Sequence, residues 1–434
     1  MSTQTILPID RQAIVELSQS RQEPEWMTNL RAEALELAGS LELPKLEKTR
    51  IDRWNLRSYG SYKQEAALSS LAQLPESAKV LLQDENAENL LVQKNAGIVY
   101  HKASEQLEKQ GVIFTSLEEA LTKHADLVKP YFGTVVGKDE NLLTALHTAV
   151  WSGGVFLYVP KNVQVEVPVQ ALFLTDDSEA SFSPHVLIVA EQNSSVTYVD
   201  NFVSEGDLNQ LVLNGIAEVV VKAGATVNFA SVHNLNNTIT DLTYRRAVVE
   251  NDAMINWVIG EMNYGNAMSD TTSVLKGNGS NSDAKIICVG TNDQKLNVTT
   301  RAVHFGKSST SGMITRAVMR DESTAIINGI TKIEKGATGA NGEQTEKVLM
   351  LSPKARGDAN PILLIDEDDV KAGHAASVGQ VNPEQIHYLM SRGITREEAQ
   401  RLVIYGFLAP VVSEIPMEKV QSQLQSLVER KLGQ

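Results

Sequence analysis

His374 lies in the stretch Asp368–Gln385, "DDVKAGHAASVGQVNPEQ", among small residues, behind an acidic run and ahead of a helix start. Small neighbours leave an imidazole accessible for chemistry. They also let backbones approach closely, and on pattern alone a lone histidine is more often a structural polar residue than a reactive one. The chain has seven other histidines: 101, 124, 147, 185, 233, 304 and 387. None pairs at i, i+4 on an expected helix, so no self-contained metal site can be read from spacing. The one cysteine, Cys288, sits in "AKIICVGT" and reads as a buried small hydrophobe. A single cysteine also rules out a disulfide framework and any all-protein four-cysteine zinc or iron–sulfur site. Asp366, Glu367, Asp368 and Asp369 read as a solvated turn, since the glycine and distal glutamate of a calcium loop are missing.

Other motifs carry no catalysis. Gly306-Lys307-Ser308 lacks the earlier glycine of a P-loop, because Arg301 stands there, and no helix follows. Nucleotide hydrolysis is therefore not expected of this chain. "GATGANGE" (336–343) reads as a loop or strand turn, and Arg356-Gly357-Asp358 as a turn sequence supported by Asn360-Pro361. There is no nucleophile elbow and no zinc-protease helix. No catalytic or cofactor-binding residue is assigned.

Composition narrows the class. With 434 residues the chain is long enough for two or three domains. A net charge of −14 argues against a general nucleic-acid or anionic-membrane binder. The first twenty residues lack the pattern of a secretory signal. The longest apolar stretch, Leu402 to Val412, is 11 residues and is broken by Gly406 and Pro410, too short to span a bilayer. A cytoplasmic, reducing location is expected.

Three textures follow one another along the chain. Residues 1–95 are rich in Leu, Ala, Glu, Gln and Lys and predict several helices, with Trp54 as a packing anchor. Residues 96–372 alternate short Val/Ile/Thr runs with Gly/Asn/Asp/Ser turns and predict many short strands. Val196, Val227, Ile255, Ile286 and Ile314 each open an apolar run after a turn, at a spacing near 30 residues. That spacing favours a β-solenoid over a sandwich or barrel, without excluding them. Residues 373–434 hold the motif segment and then turn helical. Asn382 caps one helix, with Pro383 first, Gln385 reciprocal and Gly393 as the stop. Thr395 and Glu398 cap the next, with Pro410 after its end. Lys431 closes a third, where its charge suits the helix dipole.

The stretch from Gly357 to Pro416 strongly resembles the C-terminal signature of the SufB/SufD family, the scaffold proteins of the Suf iron–sulfur cluster assembly system. Arg53-Trp54 and the long β region fit more weakly. The chain resembles the SufD branch: it lacks a cysteine near His374, and His374 matches the motif histidine of that branch. Where the family commonly has serine or cysteine just before the histidine, this chain has Gly373. The resemblance implies a mainly β fold, a right-handed parallel β-helix flanked by helical ends. It implies a non-enzymatic subunit of a SufBCD complex, binding a SufC-like ATPase through the C-terminal helices and a SufB-like subunit through the β-helix. A homodimer of the isolated chain is compatible with the same edge. It further implies His374 as a metal ligand, giving an imidazole nitrogen to iron or a transient iron–sulfur cluster shared with the partner. Two alternatives remain. One is a purely structural partner with all ligation on SufB. The other is a polysaccharide-cleaving β-helix, which needs paired carboxylates on one strand face.

Overall fold

The computed structural model describes residues 9–82, 88–413 and 418–432, so the last residues of the Gly357–Pro416 stretch lie outside the described residues. Residues 90–380 form a parallel β-solenoid of about eight coils, in which strands alternate between two facing sheets. The first sheet runs through Leu90–Lys94, Val169–Thr175, Ser195–Ser204, Thr226–Asn234, Met254–Glu261, Asn281–Gly290, Thr310–Met319, Asn341–Met350 and Lys371–Gln380. The second runs through Gly154–Val159, His185–Ala190, Leu211–Val221, Ile239–Val249, Ala267–Leu275, Lys295–His304, Thr324–Ile333 and Arg356–Ile365. Gly97–Lys102 and Ile113–Ser116 add antiparallel strands at the starting end.

Stacking in register places like side chains over one another. Tyr198, Phe229 and Trp257 pair across three coils with ring centroids 5.1 and 5.0 Å apart, inside the lumen. Each such ring pair adds about 0.5–1.5 kcal/mol beyond its area burial. Val196, Val227 and Ile255 are register partners, as their spacing predicts. Ile286 and Ile314 are not: Ile255 pairs with Ser282, and Ile314 with Lys285. The later coils open with polar residues, so the first apolar residue moves along the strand. Ile314 then falls on the outer face, beneath a C-terminal helix.

Helices cover both outer faces. Helices α1 (Arg11–Ser20), α2 (Glu25–Ala38) and α3 (Leu142–Val150) pack with Trp54 against Val212, Ile216, Leu242 and Met268 of the second sheet. Helices α4 (Pro383–Ser391), α5 (Arg396–Val412) and α6 (Glu418–Lys431) follow the last strand, and α5 and α6 lie on the first sheet over Val232, Val258, Ile287 and Val318. Strands covered on both sides need no alternation, which is why Leu211–Val221 is buried throughout. Among the described residues no helix is long and apolar enough to cross a membrane.

Four local expectations change. The segment Ala66–Leu82 holds only a 3-10 turn, Leu71–Gln73, and a four-residue helix, Glu76–Lys79; its leucines join one cluster with Leu90, Val92 and Leu172 of the first sheet. Pro410 lies inside α5, which runs on to Val412; packing of Leu408, Val411 and Val412 on the sheet holds the last turn. Arg356-Gly357-Asp358 is strand, not turn, since the preceding coil at Thr324–Ile326 supplies its backbone partners. Lys431 does not extend along its helix axis. Its Nζ is buried and donates to the carbonyls of Asn263 and Val289, and burial pulls its pKa down to about 7.

Candidate functional site at the open end of the coil

Among the described residues the solenoid is closed at one end only. At its start, the antiparallel strands and the short helix Glu105–Lys109 plug the lumen with Leu107, Val112 and Phe114. At its finish, Arg356–Ile365 and Lys371–Gln380 are the last strands of their sheets. Among the described residues no further strand pairs with either. Their outer backbone groups form a template for another chain. The core is cut through here: Leu364, Ile365 and Val378 are 47, 41 and 42% exposed.

His374 stands in this last strand, exposed, in register with Gln344. Gln344 faces the lumen. Its amide donates to the Gly329 carbonyl at 3.2 Å and accepts from Thr331 Oγ1 at 2.9 Å, both on the facing sheet. Register partners on parallel strands share a face, so His374 stands on the lumen side of the open mouth. Gly373 pairs with exposed Glu343 and belongs to the opposite face, where an added Cβ would meet nothing within 4 Å. A serine or cysteine at 373 would therefore point away from the imidazole. Glycine there removes no ligand from His374's side, contrary to what adjacency in sequence implies. The acidic run is the turn of this coil: Glu367 accepts from the Gly336 and Asp368 amides, and Lys335 lies 3.6 Å from Glu367.

One coil beneath, Glu346 shares the lumen face with Gln344. It is 1% exposed, and its Oε2 has no hydrogen-bond partner. Its carboxylate occupies the space left by the missing side chain of Gly329, where a Cβ would come within 1.8 Å of Oε1. Burial pushes its pKa up to about 7. Local sequence gives no sign of this residue. Only the coil length, which sets Gln344 under His374, brings it to the mouth.

Two other buried polar clusters of the interior are paired within themselves, although Asp200 Oδ1 and Glu261 Oε2 also have no hydrogen-bond partner. His233, Asp241 and Glu261 are close enough to share a cation. The guanidinium of Arg245 fills that role, donating to His233 Nε2 at 2.7 Å and to Glu261 at 3.2 Å, while His233 Nδ1 donates to Asp241 at 2.6 Å. A second chain of contacts links His147 Nδ1 to the Asn214 carbonyl, His147 Nε2 to His185 Nδ1 and His185 Nε2 to Glu218. Burial and the neighbouring His185 charge hold the His147 pKa well down, so His147 is neutral. Its Nδ1–H then donates to the carbonyl and its Nε2 accepts. His185 Nδ1 then donates to His147 Nε2, and His185 Nε2 lies 3.0 Å from Glu218 Oε2. Glu218 also accepts three amides from Gly133, Val135 and Val136, tying that loop to the sheet. Cys288 is fully buried in the lumen core, with its thiol pKa pushed up to about 12, as its apolar neighbours imply.

Comparison with known proteins agrees with this architecture. Residues 173–407 match the family model described as "SUF system FeS cluster assembly, SufBD core domain", and residues 16–171 match the "SufBD protein N-terminal region". The chain is 48% identical to the iron–sulfur cluster assembly protein SufD of Bacillus subtilis (strain 168), covering 100% of both chains. It is 27% identical to the iron–sulfur cluster assembly protein SufB of the same organism, covering 94% of this chain and 90% of the relative. It is 29% identical to an iron–sulfur cluster assembly SufBD family protein of Staphylococcus haemolyticus, covering 93% and 89%. Helical ends, the parallel coil and the matches over nearly the whole length agree: the chain belongs to the SufB/SufD family and is a component of Suf iron–sulfur cluster assembly.

Proposed function

We propose that this chain is a non-enzymatic cytoplasmic scaffold subunit that meets a SufB-type partner with the open end of its solenoid. There His374 gives an imidazole nitrogen to iron or to the nascent cluster held between the two subunits. The observation that carries this reading is the uncovered last coil, which presents an exposed imidazole within a cut apolar core and two free strand edges. A partner strand added to Lys371–Gln380 would bury Val378 and exclude water from His374. A neutral imidazole suits iron, and mixed thiolate/imidazole ligation releases a cluster more readily than four thiolates, as a transfer scaffold requires.

The C-terminal helices are the proposed seat of the SufC-type ATPase. Tyr388, Met390 and Leu402 on α4 and α5 are large apolar side chains left exposed. Residue 380 ends the His374 strand and Pro383 begins α4, so a pull on the helices acts directly on the joint. ATP-driven closure of the partner would bias a two-state opening of that joint. A cell that depends on this chain for cluster assembly is the test. His374→Ala should leave the complex assembled and abolish growth under iron limitation, while normal growth would overturn the ligand role.

A further inference from the structure

Building on the reading of His374 as an iron ligand, we infer that Glu346 is a second ligand from this same chain, so that a ferrous ion at the open mouth is held by an imidazole and a carboxylate of adjacent strands. Three observations carry it. Gln344 pairs with His374, and Glu346 lies two residues further along the same strand, on the same lumen face. Such a diagonal pair has Cα atoms about 8 Å apart, within reach of one ion for two long side chains. The carboxylate is buried, with Oε2 unpartnered. A buried polar atom left alone is destabilising, and a cation removes that cost. Finally, Gly329 provides the room: any side chain there would occupy the carboxylate's place.

The contrast with the other buried acids is chemical. Glu261 pairs with Arg245, Asp241 with His233, and Glu218 faces His185 and three amides; Asp200, also buried with an unpartnered oxygen, feels the charges of His233 and Arg245. Among the described residues Glu346 has no ion pair, so a cation that binds its ionised carboxylate comes from outside the chain. A hard carboxylate oxygen beside a borderline imidazole nitrogen fits ferrous iron before sulfide arrives. Gln344 sits between them with its amide committed to the facing sheet, which keeps the two ligands on one side of the mouth.

The test uses cobalt(II) as a spectroscopic stand-in for ferrous iron, titrated into the full chain and followed by its visible absorption. Wild type should bind one ion at the mouth. His374→Ala and Glu346→Gln should each weaken that binding at least tenfold, and Glu346→Asp, which keeps the charge but retracts it, should weaken it less. Thermal melting of each variant confirms folding. Loss with His374→Ala but none with Glu346→Gln would overturn the inference and leave the His374 reading intact. Loss with Glu346→Gln alone would overturn a shared site. Binding indifferent to both changes would sink the inference and the His374 reading together. No binding by wild type would refute a two-ligand site within this chain, while ligation completed by the partner would stand.

Discussion

At the scale of the residue, the open mouth combines one exposed imidazole with one buried acid, and the acid leaves a measurable trace without any metal. Glu346 has its pKa raised from an ordinary 4.5 to about 7 by burial. The folded chain therefore holds a proton that the unfolded chain has already lost between pH 4.5 and 7. Stability from this group is fully present below pH 4.5 and is lost as pH rises through 7. Glu346→Gln should remove this slope. Relative to wild type, it should gain on the order of 2 kcal/mol between pH 5 and pH 8, read from urea unfolding at both values. An unchanged difference between the two pH values would mean that the carboxyl is not shielded from water. His374 was legible as a candidate from its small neighbours and from the motif it shares with the family. Glu346 was not, because partnership here is set by coil register, and no local period encodes it. The same applies to Gly373, whose nearness to His374 in sequence conceals that alternate residues of a strand face opposite sides.

At the scale of the element, strands and helix caps were largely legible. Thr395 Oγ1 accepts from the Glu398 amide at 3.2 Å while Glu398 answers to Thr395 N at 3.1 Å, as the spacing predicts. Helix ends set by packing were not: α5 runs through Pro410 because Val411 and Val412 are buried on the sheet. Lys431 was expected to serve its own helix dipole. Instead its amine nitrogen is sunk against the solenoid, fixing the end of α6. A lysine whose pKa falls from 10.5 to about 7 is charged in the unfolded chain and mostly neutral in the folded one between those values. Its contribution to stability therefore rises as pH climbs from 7 to 10.5. Wild type should gain on Lys431→Met across that range by about 1–3 kcal/mol in urea midpoints converted to free energy. A constant difference would mean that the ammonium stays charged in place.

At the scale of the whole molecule, the proposed function rests on the asymmetry of the solenoid. One end is plugged by antiparallel strands, and among the described residues the other is left as two unpaired edges with a cut core. The period near 30 residues made the coil legible, and the family motif marked its last strand. That only one end is closed could not be read, since it depends on which residues reach over the lumen. Val378→Lys, at a site already 42% exposed, should leave the thermal midpoint within a few degrees of wild type and abolish co-purification of the SufB-type partner. Retention of the partner would place the interface elsewhere. The central claim, that this mouth holds iron in the assembled complex, is tested most directly by iron and sulfide analysis of the complex purified with its ATPase and SufB-type partners. With His374→Ala the three subunits should co-purify as before, with iron and sulfide per complex reduced to a small fraction of wild type. Unchanged stoichiometry of both would contradict the claim and assign all ligation to the partner.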